Sequence, residues 1–550
     1  MAIDFRKNSR SLGAAWFAVL VFLIFTIITP LLMVILSAKP QDFVFVFKSS
    51  ILKQTLLNTF FECITSTTLS VVLGYIYAYA VVKANIPFKK FFASIPLLHL
   101  MTPPFVGGLA FILLVGRQGI ITHKILGLDV SLYGFWGLLI AQSLCFFPMA
   151  YLICLQSLKG VNSNLEQAAR SMGASNRKIF WTITFPLSST GIISSFLFVA
   201  VNVLSDFGNP LIVGGRFRVL AVEIYTQLTG WTNAGTSAVL GILLIIPSII
   251  LFLLQNKLFK NTNLKLSSIG GKDSSKLPEQ KNTSAFTSIL LTIFVIFISV
   301  CVAAQFISII VGSFQKLWGI NTAFTFDHIK AVFTGRYFKG LKNSLLFALI
   351  GAAFSTTIAC LTSFIVHRTN APLRKSIDIF SQLPSAIPGS LLGLSISIAA
   401  NKFHFNNSPV LIVTAMTVSF LPFSYRIITQ SFGQIKQTLD DGARSLGASQ
   451  IKTLTSIIAP LSTGGIFSGF IYDFIRGVGT LSAVIFLVSF DTPLTSINIV
   501  NLADQGNWGV STSLALVLTV ISFSTLAIGK LIIYSGQKIS KNECKIKPLK

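Results

Sequence analysis

The sequence predicts an all-α polytopic membrane protein of about twelve transmembrane helices, built as two six-helix halves in a parallel repeat. Three observations predict this fold: an apolar composition, long apolar runs, and a polar segment that occurs twice. Of the 550 residues, 53% are hydrophobic and only 11% are charged, and the mean hydropathy is +0.76. Soluble domains carry about 25% charged residues. Apolar runs of roughly 20 residues or more therefore indicate bilayer-spanning helices.

Twelve apolar runs divide evenly around a central polar stretch. We expect spans near 12–37, 55–82, 91–115, 133–157, 187–207, 236–256, 285–313, 341–366, 377–400, 409–431, 462–488 and 508–534. The first run is too long for a signal peptide and lacks a small-residue cleavage site, so it is predicted to be a span. The Ser-, Gly- and Lys-rich stretch 256–284 is predicted to be a flexible cytoplasmic linker between two six-span domains, 1–255 and 285–550.

The formal charge of +26 would suit a nucleic-acid partner, but the positions of the charges argue against one. Most Lys and Arg residues fall at the two termini, in the linker and in the loops on one side of the predicted membrane. This asymmetry sets topology, so both termini are expected in the cytoplasm. The six cysteines form no C-x-x-C pair, and the histidines have no metal-like spacing, so we expect no metal site.

One polar segment marks the repeat. "EQAARSMGASNRKIFWTITFPL", from Glu166, returns as "DDGARSLGASQIKTLTSIIAPL", from Asp440, with ten identical positions that all share one offset along the chain. Upstream, the N-x-P triplet at 85–87 returns at 370–372, at a slightly larger offset. Because each half holds an even number of spans, both halves enter the membrane in the same orientation, which makes the repeat parallel.

Each copy predicts a helix–turn–helix outside the bilayer, which we call an elbow. An acid in the first turn suits the helix dipole, a glycine ends the helix, and a serine caps a second short helix that ends at a proline. These residues are Glu166, Gly173, Ser175 and Pro186, and then Asp440, Gly447, Ser449 and Pro460. Ala169 and Gly173 stand four apart, as do Ala443 and Gly447, and are expected to form a small-residue face for a docking protein. An ordinary capped surface loop is the alternative, which the second copy disfavours.

The elbows resemble the EAA loops of permease subunits in bacterial ABC importers. The resemblance rests on Glu166, Ala168, Ala169, Gly173 and Ala174, and on Asp440, Ala443, Gly447 and Ala448. Arg170 and Arg444, which are identical in the two elbows, are expected to take part in the same coupling to an ATPase. The second copy departs from the family pattern at Asp440, in place of Glu, and at Gly442, in place of Ala. In that family the loop is the coupling helix that docks on the ATP-hydrolysing subunit. The resemblance therefore implies a fused pair of type I importer permease domains in the bacterial inner membrane.

The resemblance also implies the partners. They are an ABC ATPase subunit, expected as a homodimer, a periplasmic or lipid-anchored substrate-binding protein, and membrane lipid. The chain has no G-x-x-x-x-G-K-[ST] phosphate loop, so we expect it to bind no cofactor and to leave ATP hydrolysis to a partner. Closure of the ATPase pair would then rock the two halves in alternating access.

The substrate is suggested by resemblance alone. "SDFGNPLIVGGRFRVLAVEIY", from Ser205, resembles the ferric-iron importers, which implies Fe³⁺ as cargo. Fused permeases of thiamine and 2-aminoethylphosphonate importers are the alternatives. A secondary transporter with a parallel repeat is a rival of another class; it needs membrane-buried carboxylates or histidines, and the spans hold few. A scaffold or channel is a third possibility.

Candidate pathway residues are polar or helix-breaking positions inside spans. They are Asp206, Gly208, Pro103, Pro388, Asp473 and Arg476. Asp473 and Arg476 stand three apart, so they are expected to pair on one helix face, as part of the pathway or as a structural ion pair. The prolines mark helices broken at matching sites, or kinked packing helices. Glu62 is expected to make a packing or interhelical contact.

Overall fold

The computed structural model describes residues 10–100, 102–128, 132–269 and 284–546, and these are overwhelmingly helical. In this part of the chain, ten helices are long and apolar enough to cross a membrane, or twelve if each of two bent helix pairs counts as one span. The predicted all-helical fold with about twelve spans is confirmed.

The helices follow one another in this order: α1 Arg10–Leu23, α2 Thr29–Ser37, α3 Pro40–Lys48, α4 Ser50–Lys83, α5 Lys89–Leu100, α6 Pro104–Val115, α7 Phe135–Lys159, α8 Ser163–Ser171, α9 Asn176–Ile179, α10 Phe185–Leu204, α11 Gly208–Val213, α12 Leu220–Tyr225, α13 Ala234–Ile269, α14 Ala285–Phe314, α15 Asp327–Val332, α16 Gly335–Arg368, α17 Arg374–Gln382, α18 Gly389–Lys402, α19 Ser408–Gly433, α20 Thr438–Ser445, α21 Gln450–Thr453, α22 Ala459–Leu461, α23 Thr463–Val478, α24 Thr495–Asp504 and α25 Trp508–Ile546. Short π-helical stretches lie at Ile24–Ile28, Ile120–Ile125, Phe180–Thr184, Thr226–Gly230 and Leu454–Ile458, and a 3₁₀ turn at Leu383–Ala386.

The chain packs as two compact units. The first unit comprises residues 40–329 and 502–513, and the second comprises the N-terminal residues to 39, residues 330–501, and the chain from 514 onward. In the first unit, α14 packs against α4, α5 and α6; in the second, α1 and α2 pack against α16, α17 and α18. The first span of each sequence half therefore packs in the unit formed mainly by the other half. The domain boundaries at 255 and 285 stay a sequence prediction.

One predicted span contains a sharp bend, and another begins at one. The pair Arg374–Ala386 and Gly389–Lys402 meets at 111°, and the pair Gln450–Leu461 and Thr463–Val478 at 80°. Proline lacks the N–H that a continuous helix needs, and Pro384 and Pro388 flank the first bend. The second pair ends at Val478, so the predicted span 462–488 was wrong over its last ten residues, where no helix forms.

Two other expectations differ from the structure. The second helix of the first elbow does not end at Pro186; it runs as one helix over Asn176–Leu204. A π-helical turn, in which the Phe185 N–H bonds the Phe180 carbonyl, carries the helix past the proline. Helix α13 also continues to Ile269, into the predicted linker, because residues 248–269 contain no glycine or proline. The rest of the predicted linker, 270–283, lies outside the described residues.

A small hairpin that the sequence analysis missed follows α14. Strands β1 Gln315–Leu317 and β2 Asn321–Phe324 pair antiparallel. Gly319 supplies the turn residue with φ +77°, a left-handed conformation that favours glycine.

Close packing of α4 on α7 positions the first elbow. A Cβ atom added at Gly74 would lie 2.7 Å from the Ala150 Cβ, so only glycine permits this approach. Tyr77 stacks edge-on against Tyr151, with ring centroids 5.3 Å apart. Because α7 leads directly into α8, this contact fixes the end of α4, at Lys83, close to the elbow.

Candidate functional site

The first elbow has the capped geometry that its sequence predicts. Gly173 ends helix α8 with φ +83°, and the Ala174 N–H donates to the Ala169 carbonyl at 3.0 Å. The Ser175 hydroxyl accepts a hydrogen bond from the Lys178 N–H at 3.3 Å and so caps α9. The predicted glycine stop and serine cap are both confirmed.

The second elbow repeats the turn and the serine cap of the first. Gly447 ends helix α20 with φ +79°, and the Ala448 N–H donates to the Ala443 carbonyl at 3.0 Å. The Ser449 hydroxyl accepts from the Lys452 N–H at 3.3 Å. Two segments far apart in the chain thus fold into one shape.

A buried ion pair anchors each elbow to the end of a long helix. In the first unit the Lys83 Nζ lies 2.8 Å from Glu166 Oε1 and 2.7 Å from Oε2. The Thr184 hydroxyl donates to the same carboxylate at 2.8 Å. All three side chains are buried, so the acid of the elbow points into its own unit and not at a partner.

The second elbow carries a matching pair of different chemistry. Arg368 Nη1 lies 2.8 Å from Asp440 Oδ2, again with both side chains buried. The guanidinium also donates to the Ile435 carbonyl at 2.7 Å and to the Phe432 carbonyl. Arg368 therefore joins the elbow to the end of α19 as well as to α16.

Sequence analysis missed both cations. The signal was present: the repeat offset that matches 85–87 to 370–372 also matches Lys83 to Arg368. Glu166 and Asp440 match at the offset shared by the two elbows, so both partners of the ion pair are duplicated. Each elbow is thus tied to a long helix by an acid–base pair at matching positions of the repeat.

The exposed face of each elbow is apolar, and it differs from the predicted one. Met172 and Leu446, at matching positions, are 85% and 89% exposed, and Leu165 and Leu439 stand out beside them. Ala443 is only 6% exposed, so its expected role in an open small-residue face was wrong. Its methyl group faces inward because it lies one turn after Asp440, which is held inside by Arg368.

The other elbow residues range from exposed to half-buried. Gly173, Gly447 and Ala168 are exposed, while Ala169, Ala174 and Ala448 are half-buried. Arg170 bonds the Asn176 side chain at 3.2 Å, and Arg444 bonds Asp441 at 3.0 Å. Arg170 thus joins the two helices of the first elbow across its turn, whereas the Arg444 contact stays within α20.

The candidate pathway residues of the first unit lie together. Asp206 is buried and accepts from Gln142 Nε2 at 3.0 Å and from Asn209 Nδ2 at 2.8 Å. Gly208 begins α11, and a Cβ atom there would lie 2.7 Å from the Phe105 Cβ, so glycine lets α11 approach α6. Pro103 is the residue before α6, where the predicted span 91–115 breaks into α5 and α6.

The candidate pathway residues of the second unit lie apart from one another. Pro388 stands before α18 at the 111° bend. Asp473 accepts from the Ser424 hydroxyl at 2.5 Å, and among the described side chains it makes no ion pair with Arg476. The expected Asp473–Arg476 pair was wrong, because Asp473 faces α19 and is buried there.

These features agree with comparisons to known proteins. The family model of the binding-protein-dependent transport system inner membrane component matches residues 70–263 and again 355–533. The chain belongs to this family. Its two matches fall one in each half of the repeat, and they identify this inner membrane component as a multi-pass transport subunit, which confirms the predicted class.

Individual relatives extend over most of the inner membrane component. It is 28% identical to the ferric transport system permease protein FbpB of Actinobacillus pleuropneumoniae, over 98% of this chain and 80% of the relative. It is 30% identical to a putative ferric transport system permease protein FbpB 1 of Haemophilus influenzae, over 88% and 79%. A bacterial ABC transporter involved in alginate import matches 46% of this chain and 95% of its own at 15% identity and a TM-score of 0.39.

Proposed function

We propose that this inner membrane component is the permease subunit of an ATP-driven ferric-iron importer and that its two elbows dock on separate ATPase subunits. The docking role is supported by one observation: the same three features occur in both elbows. Each elbow has a glycine turn, a buried ion pair and an exposed apolar tip, which is Met172 in the first and Leu446 in the second. Exposed methionine and leucine side chains on a rigid support are typical of protein interfaces.

Iron as the cargo is supported by the relatives. Two proteins that match most of the chain are named as ferric transport permeases. An external binding protein would deliver the ion, and both termini would lie in the cytoplasm with the elbows. Asp206, Gly208 and Pro103, with Pro388, Asp473 and Arg476 in the second unit, remain proposed pathway residues.

The mechanism follows from the anchors. A push on Met172 passes through α8 to Glu166, and the buried ion pair transmits it to Lys83 at the end of α4. The equivalent path in the second unit runs from Leu446 through Asp440 to Arg368 and α16. Because each pair is buried, it resists the screening that weakens surface pairs, so the elbow and the long helix would move as one body.

The docking role is tested by replacing the two exposed apolar tips with acidic side chains. We expect Met172→Glu with Leu446→Glu to abolish co-purification of the ATPase subunit and ATP-dependent uptake in proteoliposomes. Ile320→Glu changes another side chain that is 70% exposed, in the hairpin, and should leave both intact. Full ATPase binding by the double variant would refute docking at the elbows.

The cargo is tested separately. Proteoliposomes with the ATPase and the binding protein should accumulate ferric iron but neither thiamine nor 2-aminoethylphosphonate. Uptake driven by an ion gradient in the absence of any ATPase would instead support a secondary transporter.

A further inference from the structure

The long helix α4 makes two hydrogen bonds to a distant segment at the end that lies away from the elbow. Asn58 Nδ2 donates to the Arg218 carbonyl at 3.1 Å, and the Thr59 hydroxyl accepts from the Leu220 backbone N–H at 2.8 Å. Thr59 and Leu220 are both buried. Leu220 is the first residue of α12, where the backbone N–H has no partner within its own helix. Side chains of α4 thus hold the start of α12.

The second unit contains the same two bonds on α16. Asn343 Nδ2 donates to the Pro493 carbonyl at 3.1 Å, and the Ser344 hydroxyl accepts from the Thr495 backbone N–H at 2.9 Å. Thr495 is likewise the first residue of its helix, α24. We call the side chains that make these bonds the loop clamps: Asn58 with Thr59 in the first unit, and Asn343 with Ser344 in the second.

Each loop clamp shares its helix with the cation that anchors an elbow. Asn58 lies 25 residues before Lys83 in α4, and Asn343 lies 25 residues before Arg368 in α16. At a rise of about 1.5 Å per residue this spacing is about 38 Å, enough to cross the hydrocarbon core of a bilayer. Both helices run for 34 residues without a proline, the residue that most often kinks a helix. Each helix can therefore carry a displacement from its anchor to its clamp.

The clamps hold the ends of two segments that adjoin the proposed pathway residues. The segments are residues 205–219, between α10 and α12, and residues 479–494, between α23 and α24. The first contains Asp206 and Gly208, and the second follows directly after the helix that holds Asp473. A movement of either segment would change the surroundings of these residues.

We propose that the loop clamps are coupling residues, through which α4 and α16 move segments 205–219 and 479–494 when an ATPase displaces the elbows. This inference rests on the proposed docking of the elbows and goes beyond it, because it places the other end of the coupling path. A helix cap alone needs only the hydroxyl. The second bond, to a carbonyl before each helix, and the equal spacing to the anchor in both halves support a mechanical role.

Uncoupling of ATP hydrolysis from transport tests this role in proteoliposomes that contain the full chain, the ATPase and the binding protein. Thr59→Val with Ser344→Ala removes the hydroxyl of each clamp. We expect the ATPase to co-purify and to hydrolyse ATP as in wild type. Uptake of ferric iron per ATP hydrolysed should fall roughly fivefold or more, the factor that corresponds to the loss of one hydrogen bond.

The matched control is Thr65→Val with Thr357→Val, on the same two helices. The Thr65 and Thr357 hydroxyls donate to carbonyls of their own helices at 2.7 and 2.8 Å, as the Thr59 hydroxyl also does at 2.8 Å. The control variant therefore loses bonds within a helix and no bond to a clamped segment. Its uptake per ATP should equal that of wild type.

Hydrogen exchange of backbone amides distinguishes coupling from a purely structural cap. In the wild-type complex, ATP should change the exchange of the elbows and of segments 205–219 and 479–494. In the clamp variant the elbows should still respond to ATP, and the two segments should not. A structural cap predicts faster exchange of the segments with and without ATP, and a response to ATP equal to that of wild type.

The possible outcomes separate the coupling from the docking. Unchanged uptake per ATP in the clamp variant, or an ATP response of the segments equal to wild type, would overturn the coupling alone. A wild-type chain that binds no ATPase would refute the docking of the elbows, and the coupling with it. If the clamp variant does not fold, Asn58→Leu with Asn343→Leu removes the other bond of each clamp, from half-buried positions. It should lose uptake per ATP to the same extent, and an unchanged ratio would equally refute the coupling.

Discussion

Glu166 and Lys83 form a buried ion pair at 2.7 Å, across 83 residues of sequence, and the same relationship is rebuilt in the second half by Asp440 and Arg368. The acid belongs to the elbow and the base ends a long helix. This is the physical link between the surface that a partner would touch and the helices that line the unit.

Removing one partner of this pair should destabilise the protein strongly. Lys83→Met removes the ammonium group that is paired with the buried Glu166 carboxylate, so we expect a loss of about 3–5 kcal/mol in the free energy of unfolding. Exchanging the charges, Lys83→Glu with Glu166→Lys, should recover much of that loss. Denaturation of the full chain in detergent measures both, and strictly additive effects would contradict a direct pair.

The two anchors should respond differently to a Lys/Arg exchange. Arg368→Lys loses the guanidinium group, which bonds Asp440 and two backbone carbonyls at once. We therefore expect the free energy of unfolding to fall by about 2 kcal/mol or more, because charged hydrogen bonds are lost. Lys83→Arg keeps the contact with Glu166 and gives up no other bond. Equal costs for the two variants would mean that the carbonyl bonds of Arg368 contribute nothing.

The elbow turns should tolerate asparagine but not valine. No other atom lies within 4 Å of a Cβ built at Gly173 or Gly447, so only the positive φ restricts these positions. A β-branched residue there costs about 1–2 kcal/mol, which lowers the population of the native turn roughly 5- to 30-fold.

We therefore expect Gly173→Val with Gly447→Val to reduce ATP-dependent uptake by roughly fivefold or more, with normal amounts of protein in the membrane fraction. Gly173→Asn with Gly447→Asn is the matched control, since asparagine adopts this conformation readily. Equal uptake by the two double variants would show that the turn geometry has no part in the mechanism.

Asp473 should be coupled to Ser424 and not to Arg476. In a double-mutant cycle, Asp473→Asn and Ser424→Ala should depart from additivity by at least about 0.5 kcal/mol, because the two side chains share a hydrogen bond. The cycle of Asp473→Asn with Arg476→Gln should be close to additive. Strong coupling in that second cycle would restore the helix-face ion pair that the sequence spacing suggested.

Much of the elbow was predictable because its causes are local. Gly173 and Ser175 act on residues within one turn of themselves, so their spacing in the sequence already specifies the stop and the cap. The failures involve partners that are far away in the chain. Ala443 looks like a surface residue by spacing, but the bond of Asp440 to Arg368 turns it inward.

The amino-acid sequence by itself determined the spans, the parallel repeat and the two elbows, since hydropathy, periodicity and turn chemistry depend on neighbouring residues. Only the tertiary structure decided that Lys83 and Arg368 anchor the elbows, that Met172 and Leu446 form their exposed tips, and that each first span packs with the other half's unit. These outcomes depend on which helix faces meet, and that is set by the fit of side chains such as Gly74 against Ala150 across long stretches of chain. Composition and spacing carry no record of that fit.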